Sequence, residues 1–191
     1  MVKLVFRYGT MNSSKTANLL MVAHNYLAQN KEIYLIKPVC DTRDGLVSIK
    51  SRAFKEGMLC NLVMTPEMSS IEELLTEYTN LQCILVDECQ FLSEKNIDAL
   101  RKVKLDIPII CYGLRTDYKG KLFSGSRRLF EISDSIEEIK TVCVKCNTKA
   151  IINSKFIINE EGIRSIVYEG EQIDLGGEEK YEPLCWKCWE K

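Results

Sequence analysis

Gly9-Thr-Met-Asn-Ser-Ser-Lys15-Thr16 stands between the apolar run Leu4-Val-Phe6 and the helix-like Ala17-Asn-Leu-Leu-Met-Val-Ala23. Strand, tight loop, then Lys-Thr opening a helix is an arrangement that cradles phosphate. Backbone N–H groups and the helix N-terminus face the anion, Lys15 adds a charge, and the Thr16 hydroxyl can hold Mg²⁺. The stretch points to a nucleoside triphosphate, and it makes Gly9, Thr10, Met11, Asn12, Ser13, Ser14, Lys15 and Thr16 the candidate nucleotide-binding residues. The bland alternative is ordinary turn chemistry before a surface helix. Where a glycine is usual before the lysine, this chain has Ser14. Such a loop favours glycine because its backbone must approach the ligand closely. A serine is expected to fit if its φ is negative and its side chain turns away.

Working outward, residues 3–8 read as a buried strand and 14–29 as a helix with apolar Leu19, Leu20, Val22, Ala23, Tyr26 and Leu27. Glu32 to Lys37 is a second strand, ended by Pro38. A less regular stretch follows. Ser69 to Tyr78 reads as a helix capped by Ser69 or Ser70. Leu81 to Asp87 is a third, wholly buried strand, Ser93 to Val103 a helix with Ser93 as N-cap, and Ile107 to Gly113 a fourth strand. Strands alternating with helices imply an α/β fold: a parallel sheet flanked by helices on both faces. Arg127-Arg128, after Gly125-Ser126, reads as the solvated start of a further helix. Near residue 141 the character changes. Cysteine pairs bracket two short β-like runs, 150–157 and 165–168, with Gly162 between them. The expected division is a nucleotide-binding domain over 1–140 and a small zinc-ribbon-like β module over 141–191.

Cys83-Ile-Leu-Val-Asp87-Glu88 is an apolar strand ending in two carboxylates. Strand C-termini line the ligand crevice of a parallel sheet, so Asp87 and Glu88 are expected beside the phosphate loop. Asp87 there can hold Mg²⁺, directly or through water, and Glu88 can take a proton from the attacking nucleophile. The alternative is an acidic pair capping the next turn.

Nine cysteines are many for a chain of 191 residues. Cys40, Cys60, Cys83, Cys89 and Cys111 lie among apolar residues and read as small core residues. Cys143-Val-Lys-Cys146 and Cys185-Trp-Lys-Cys188 are two Cys-x-x-Cys pairs. Four thiolates in two short turns suit tetrahedral Zn²⁺. A redox dithiol needs only one pair, in a different context. The residues between the pairs form a longer segment than is common, so the metal would staple a lengthy loop.

Bulk properties bound the rest. Apolar content is 46%, charged content 28% and net charge −1, an ordinary globular balance without the excess of positive charge that coats nucleic acid. No signal pattern appears at the N-terminus. No apolar run approaches the ~18 residues of a membrane span. A cytoplasmic protein with no membrane or nucleic-acid partner is expected. His24, the only histidine, falls on a predicted helix as a surface or packing residue, so histidine-based catalysis is not expected.

Phosphate loop, Asp-Glu strand end and four-cysteine module, in that order, resemble thymidine kinases of the cytosolic, zinc-containing (type II) family. Local matches extend the resemblance over nearly the whole chain. They are Lys37-Pro38 with Asp41-Thr42-Arg43, Asp87-Glu88-Cys89-Gln90-Phe91, Gly113-Leu-Arg-Thr-Asp-Tyr118 through Leu122-Phe123, Ile139-Lys-Thr-Val-Cys143, and Gly176-Gly-Glu-Glu-Lys-Tyr181. The resemblance implies that Glu88 is the general base on the 5′-hydroxyl of thymidine. It implies Asp41 and Arg43 near the transferred phosphoryl group, with Asp87 and Gln90 also on the nucleotide side. Met11, Phe91, Leu114, Tyr118 and Phe123 would wall the base pocket. Gln172, Ile173, Asp174, Leu175 and Gly176 would hold thymine through backbone groups, and Tyr181 would close the site. A homotetramer using ATP, Mg²⁺ and structural Zn²⁺ is implied, making dTMP in pyrimidine salvage and accepting deoxyuridine as well. Tyr118 stands where an aromatic, often Phe, is typical. The competing reading is a nucleic-acid-dependent P-loop ATPase with a zinc ribbon, because Asp-Glu-Cys-Gln resembles motor ATPase boxes. Against it, the chain lacks length for a second ATPase domain and lacks a basic stripe with aromatics.

Overall fold

The computed structural model describes residues 3–42, 45–54, 56–173 and 179–190. Six strands form one sheet in the order β5-β2-β6-β7-β1-β8. They are β1 (Lys3–Tyr8), β2 (Glu32–Pro38), β5 (Leu62–Met64), β6 (Leu81–Val86), β7 (Pro108–Gly113) and β8 (Ser135–Glu138). Every pairing among them is parallel. The strand C-termini therefore share one edge, and the loops that follow them meet there.

Alternation along the strands divides the core in two. Val5, Leu35, Cys83, Leu85 and Ile110 face helix α1 (Lys15–Leu27), which buries Leu19, Leu20 and Ala23 against them. Leu4, Phe6, Ile36, Ile84, Val86 and Cys111 point the other way. There they pack against Leu75 of α2 (Glu72–Leu75), Ile97 and Leu100 of α3 (Glu94–Arg101) and Leu129 of α4 (Ser124–Ile132). Each fully buried Leu or Ile contributes about 1.5–3 kcal/mol relative to exposure. The expected parallel sheet with helices on both faces is the observed fold. No helix among the described residues is long and apolar enough to cross a membrane.

Local signals explain the boundaries. Ser93 caps α3 as expected: its hydroxyl accepts from the Asn96 amide at 3.2 Å, while the Asn96 side chain accepts from the Ser93 amide at 3.0 Å. The helix expected over 69–78 is only the single turn of α2. The Thr76 hydroxyl bonds back to the Glu73 carbonyl at 2.7 Å, and Tyr78 stacks edge-on against Tyr34 of β2, which ends the turn. The irregular stretch after Pro38 holds a short hairpin, β3 (Ser48–Ile49) with β4 (Met58–Leu59), and the edge strand β5. At the other edge, β8 is a polar strand beside β1.

The C-terminal residues build a separate three-stranded antiparallel sheet, β10-β9-β11, from β9 (Ile152–Ile158), β10 (Arg164–Val167) and β11 (Tyr181–Leu184), followed by the turn α5 (Trp186–Trp189). Cys83, Cys89 and Cys111 are core residues, whereas Cys40 and Cys60 are half-buried.

Candidate active site

The phosphate loop leaves β1 at the sheet edge, where the Gly9 amide donates to the Gly113 carbonyl of β7 at 3.2 Å. Lys15 curls back over the loop. Its ammonium donates to the Thr10 carbonyl at 2.7 Å and lies 3.4 Å from the Ser13 hydroxyl. Asn12 and Ser14 both have left-handed backbone, with φ of +61° and +62°. The condition of a negative φ for Ser14 is thus not met. Ser14 is the N-cap of α1 in the conformation that glycine adopts without a Cβ penalty, and its side chain makes no cap hydrogen bond. Its carbonyl still starts the helix, accepting from the Asn18 amide at 2.9 Å.

On the far side of β7, β6 delivers the acids. The Thr16 hydroxyl sits 3.2 Å from each carboxylate oxygen of Asp87. Burial, with Glu88 and Asp41 nearby, pushes the Asp87 carboxyl up to about 7. Asp41, Asp87 and Glu88 thus place like charges near one another, with the Thr16 hydroxyl beside them. Asp41 is itself held by the buried Lys37 ammonium at 3.1 Å, and that ammonium also donates to the carbonyls of Gly45 and Ser48.

Glu88 takes a left-handed conformation, φ +49°, as the chain turns into a 3₁₀ segment at Cys89–Phe91. Strained backbone of this kind persists where the surroundings over-determine it. Gln90 supplies that support. Its amide N–H donates to the Glu88 carboxylate at 2.5 Å, and its amide oxygen accepts from the Leu114 backbone at 2.9 Å. Gly113 makes this possible, because a Cβ there would overlap the Gln90 side chain and the Cys89 sulfur.

A cavity of about 610 Å³ opens over these groups, within the range of small-molecule sites. One side is Asn12, Ser14, Lys15, Thr16, Asp41, Asp87 and Glu88. The other is Met11, Phe91, Leu114, Tyr118, Phe123, Gln172, Ile173 and Tyr181. Phe91 and Phe123 meet edge-on with centroids 5.7 Å apart. The Tyr118 hydroxyl donates to the Glu171 carbonyl at 3.0 Å, and the Gln172 amide donates to Asp117 at 3.0 Å. These bonds fasten the segment before residue 174 to Asp117 and Tyr118. Gly9, Thr10 and Ser13 form the base of the loop and are not in the cavity wall. Gln90, named on the nucleotide side, is buried behind Glu88 and spends its polar atoms on Glu88 and Leu114. Arg43, Asp174, Leu175 and Gly176 lie outside the described residues. His24 is exposed on α1.

The structure adds residues that the sequence did not single out. The segment Ser48 to Phe54 and Asn153 also line the cavity. Nothing in the pattern around Asn153 separated it from a plain β run.

Cys143, Cys146, Cys185 and Cys188 converge, with all four sulfurs within 4.8 Å of one another. Cys146 Sγ is 3.6 Å from that of Cys185 and 3.7 Å from that of Cys188. A tetrahedron of Zn–S bonds at ~2.3 Å has sulfurs roughly 3.8 Å apart, so the quartet fits zinc. Each pair forms the same tight turn, with the Cys146 amide on the Cys143 carbonyl and the Cys188 amide on the Cys185 carbonyl.

A family model described as thymidine kinase matches residues 2–189. Among similar proteins, the thymidine kinase of Enterococcus faecalis is 38% identical over 190 residues, covering 98% of this chain and 94% of that protein. The thymidine kinase of Streptococcus agalactiae is 40% identical over 190 residues, covering 98% and 96%. That of Lactococcus lactis is 39% identical over 194 residues, covering 100% and 98%.

Proposed function

The chain belongs to the thymidine kinase family, and from that membership we propose that it moves the γ-phosphoryl group of ATP to the 5′-hydroxyl of thymidine. The observation that carries the reading is one cavity with a phosphate loop and three carboxylates on one side and an aromatic wall on the other.

In this reading the loop amides and Lys15 hold the ATP phosphates. Thr16 and Asp87 would hold Mg²⁺, which would supply neutralisation of charge on the phosphate oxygens. Met11, Phe91, Leu114, Tyr118 and Phe123 pack the pyrimidine. Residues 172–176 give it backbone hydrogen bonds, and Tyr181 closes over it. Glu88 accepts the 5′-hydroxyl proton as the new O–P bond forms and the bond to the bridging oxygen breaks, leaving ADP and dTMP. Gln90 holds the Glu88 carboxylate in place for that transfer. Asp41 and Arg43 stand on the phosphoryl side. The protein supplies positioning and charge neutralisation rather than covalent chemistry. Zinc on the four cysteines is structural. Acceptance of deoxyuridine, assembly as a homotetramer and action in the cytoplasm belong to the same proposal and come from the family resemblance.

ATP consumption with thymidine, with single-stranded DNA and with neither tests the reading against a nucleic-acid-dependent ATPase. Turnover only with thymidine supports it, and turnover stimulated by DNA sinks it.

A further inference from the structure

Asn153 belongs to the C-terminal module, yet its side chain reaches the phosphate loop. Its amide oxygen accepts from the Met11 backbone N–H at 2.7 Å, and its amide nitrogen donates to the Thr116 carbonyl at 3.1 Å. The Asn153 side chain is buried, and its bond to Thr116 is made away from water, where leaving either partner unmade is expensive. The bonded amide lies directly before Asn12 and three residues before Ser14, the two left-handed residues of the loop. A non-glycine residue in that conformation costs roughly 1–2 kcal/mol, so the loop needs outside support to keep its shape.

Asn153 is itself firmly seated. On β9 it lies opposite Pro183 of β11, and the flanking Ile151 amide donates to the Leu184 carbonyl at 2.8 Å. Leu184 is followed at once by Cys185 of the sulfur quartet. The Pro183 carbonyl accepts from the Val144 amide between the first two cysteines at 3.1 Å. A short run of bonded backbone thus links the cysteine cluster to Met11.

We propose that Asn153 is a positioning residue through which the zinc-held module keeps the strained phosphate loop in its ATP-binding shape. The inference rests on the reading of residues 9–16 as the ATP site. It assigns Asn153 a role in that loop's geometry, in addition to its place in the cavity wall.

The test compares wild type, Asn153→Ala and Asn153→Leu, the last filling the same space without an amide. Calorimetry reads binding of a non-hydrolysable ATP analogue and, separately, of thymidine. Zinc content and thermal unfolding establish that each variant is folded and metal-loaded. The expected result is at least tenfold weaker binding of the analogue, about 1.4 kcal/mol, with a clearly smaller loss for thymidine, whose side of the cavity Met11 and Asn153 also line. Adding Ser14→Gly, which removes the strain at one left-handed position, should recover part of the lost analogue affinity. Equal analogue binding in a folded variant, or a thymidine loss as large as the analogue loss, would overturn the proposal. Failure of the wild type to bind the analogue would instead overturn the assignment of the ATP site.

Discussion

The Thr16 hydroxyl lies at 3.2 Å from both carboxylate oxygens of Asp87, so the first turn of α1 and the end of β6 meet at one point. The parallel sheet makes the meeting possible. β1 and β6 flank β7, and their C-termini open on the same edge. The acids, the phosphate loop and the Gln90 brace all converge within that edge.

Glu88→Gln should leave the fold and ATP binding intact while lowering kcat by about 10²–10⁴-fold, the usual worth of a positioned general base. Gln90 can still bond an amide at position 88, so the loss belongs to proton transfer. Steady-state kinetics at saturating thymidine measure it, and near-normal kcat would remove Glu88 from the role.

Ser14→Gly should stabilise the chain by about 1 kcal/mol, because the position is left-handed and the serine makes no cap bond in return. The KM for ATP should fall by less than tenfold. Chemical denaturation and initial rates read the two effects. A less stable variant would mean that the serine side chain contributes something its hydrogen bonding does not show.

Removing zinc with a chelator, or replacing Cys146 with Ser, should loosen the C-terminal module before the six-stranded sheet. Hydrogen exchange is the measurement. Amides of β9 and β11 should lose protection while those of β1, β6 and β7 keep it. Simultaneous loss across both sheets, or purified protein without bound metal, contradicts this.

Asp134 joins three elements. Its carboxylate accepts from both Arg101 guanidinium nitrogens and from the Leu4 amide. Arg101 first, then the Leu4 amide, holds its carboxyl below the ordinary carboxylate value. A folded value below the unfolded one gives stability that is complete above about pH 3.9 and lost as pH falls through the folded value. Asp134→Asn should therefore be less stable near neutrality, and the gap should close in acid. The site is solvent-exposed, which keeps the effect small. A gap that persists unchanged in strong acid would point to packing rather than charge.

What the sequence made legible follows from burial. Leu81 to Val86 is apolar at nearly every position because both of its faces are covered, so it reads as a strand unaided. β8 at the sheet edge is Ser-Ile-Glu-Glu and carries no such signal, and β5 is three residues long. The cysteine spacing announced the sulfur cluster because four sulfurs in two turns serve few purposes other than holding a metal. The backbone state of Ser14 was hidden, since a residue type does not report its φ. Asn153 and Lys37 were hidden for a related reason. Their roles lie in partners distant along the chain or buried beneath a loop, and no local pattern records them.

The most direct test of the central claim is identification of the product from ATP with a panel of nucleosides. ADP and thymidine 5′-monophosphate should form one for one, with a lower rate from purine nucleosides. Release of inorganic phosphate at the same rate with and without thymidine, and no phosphorylated nucleoside, would contradict it.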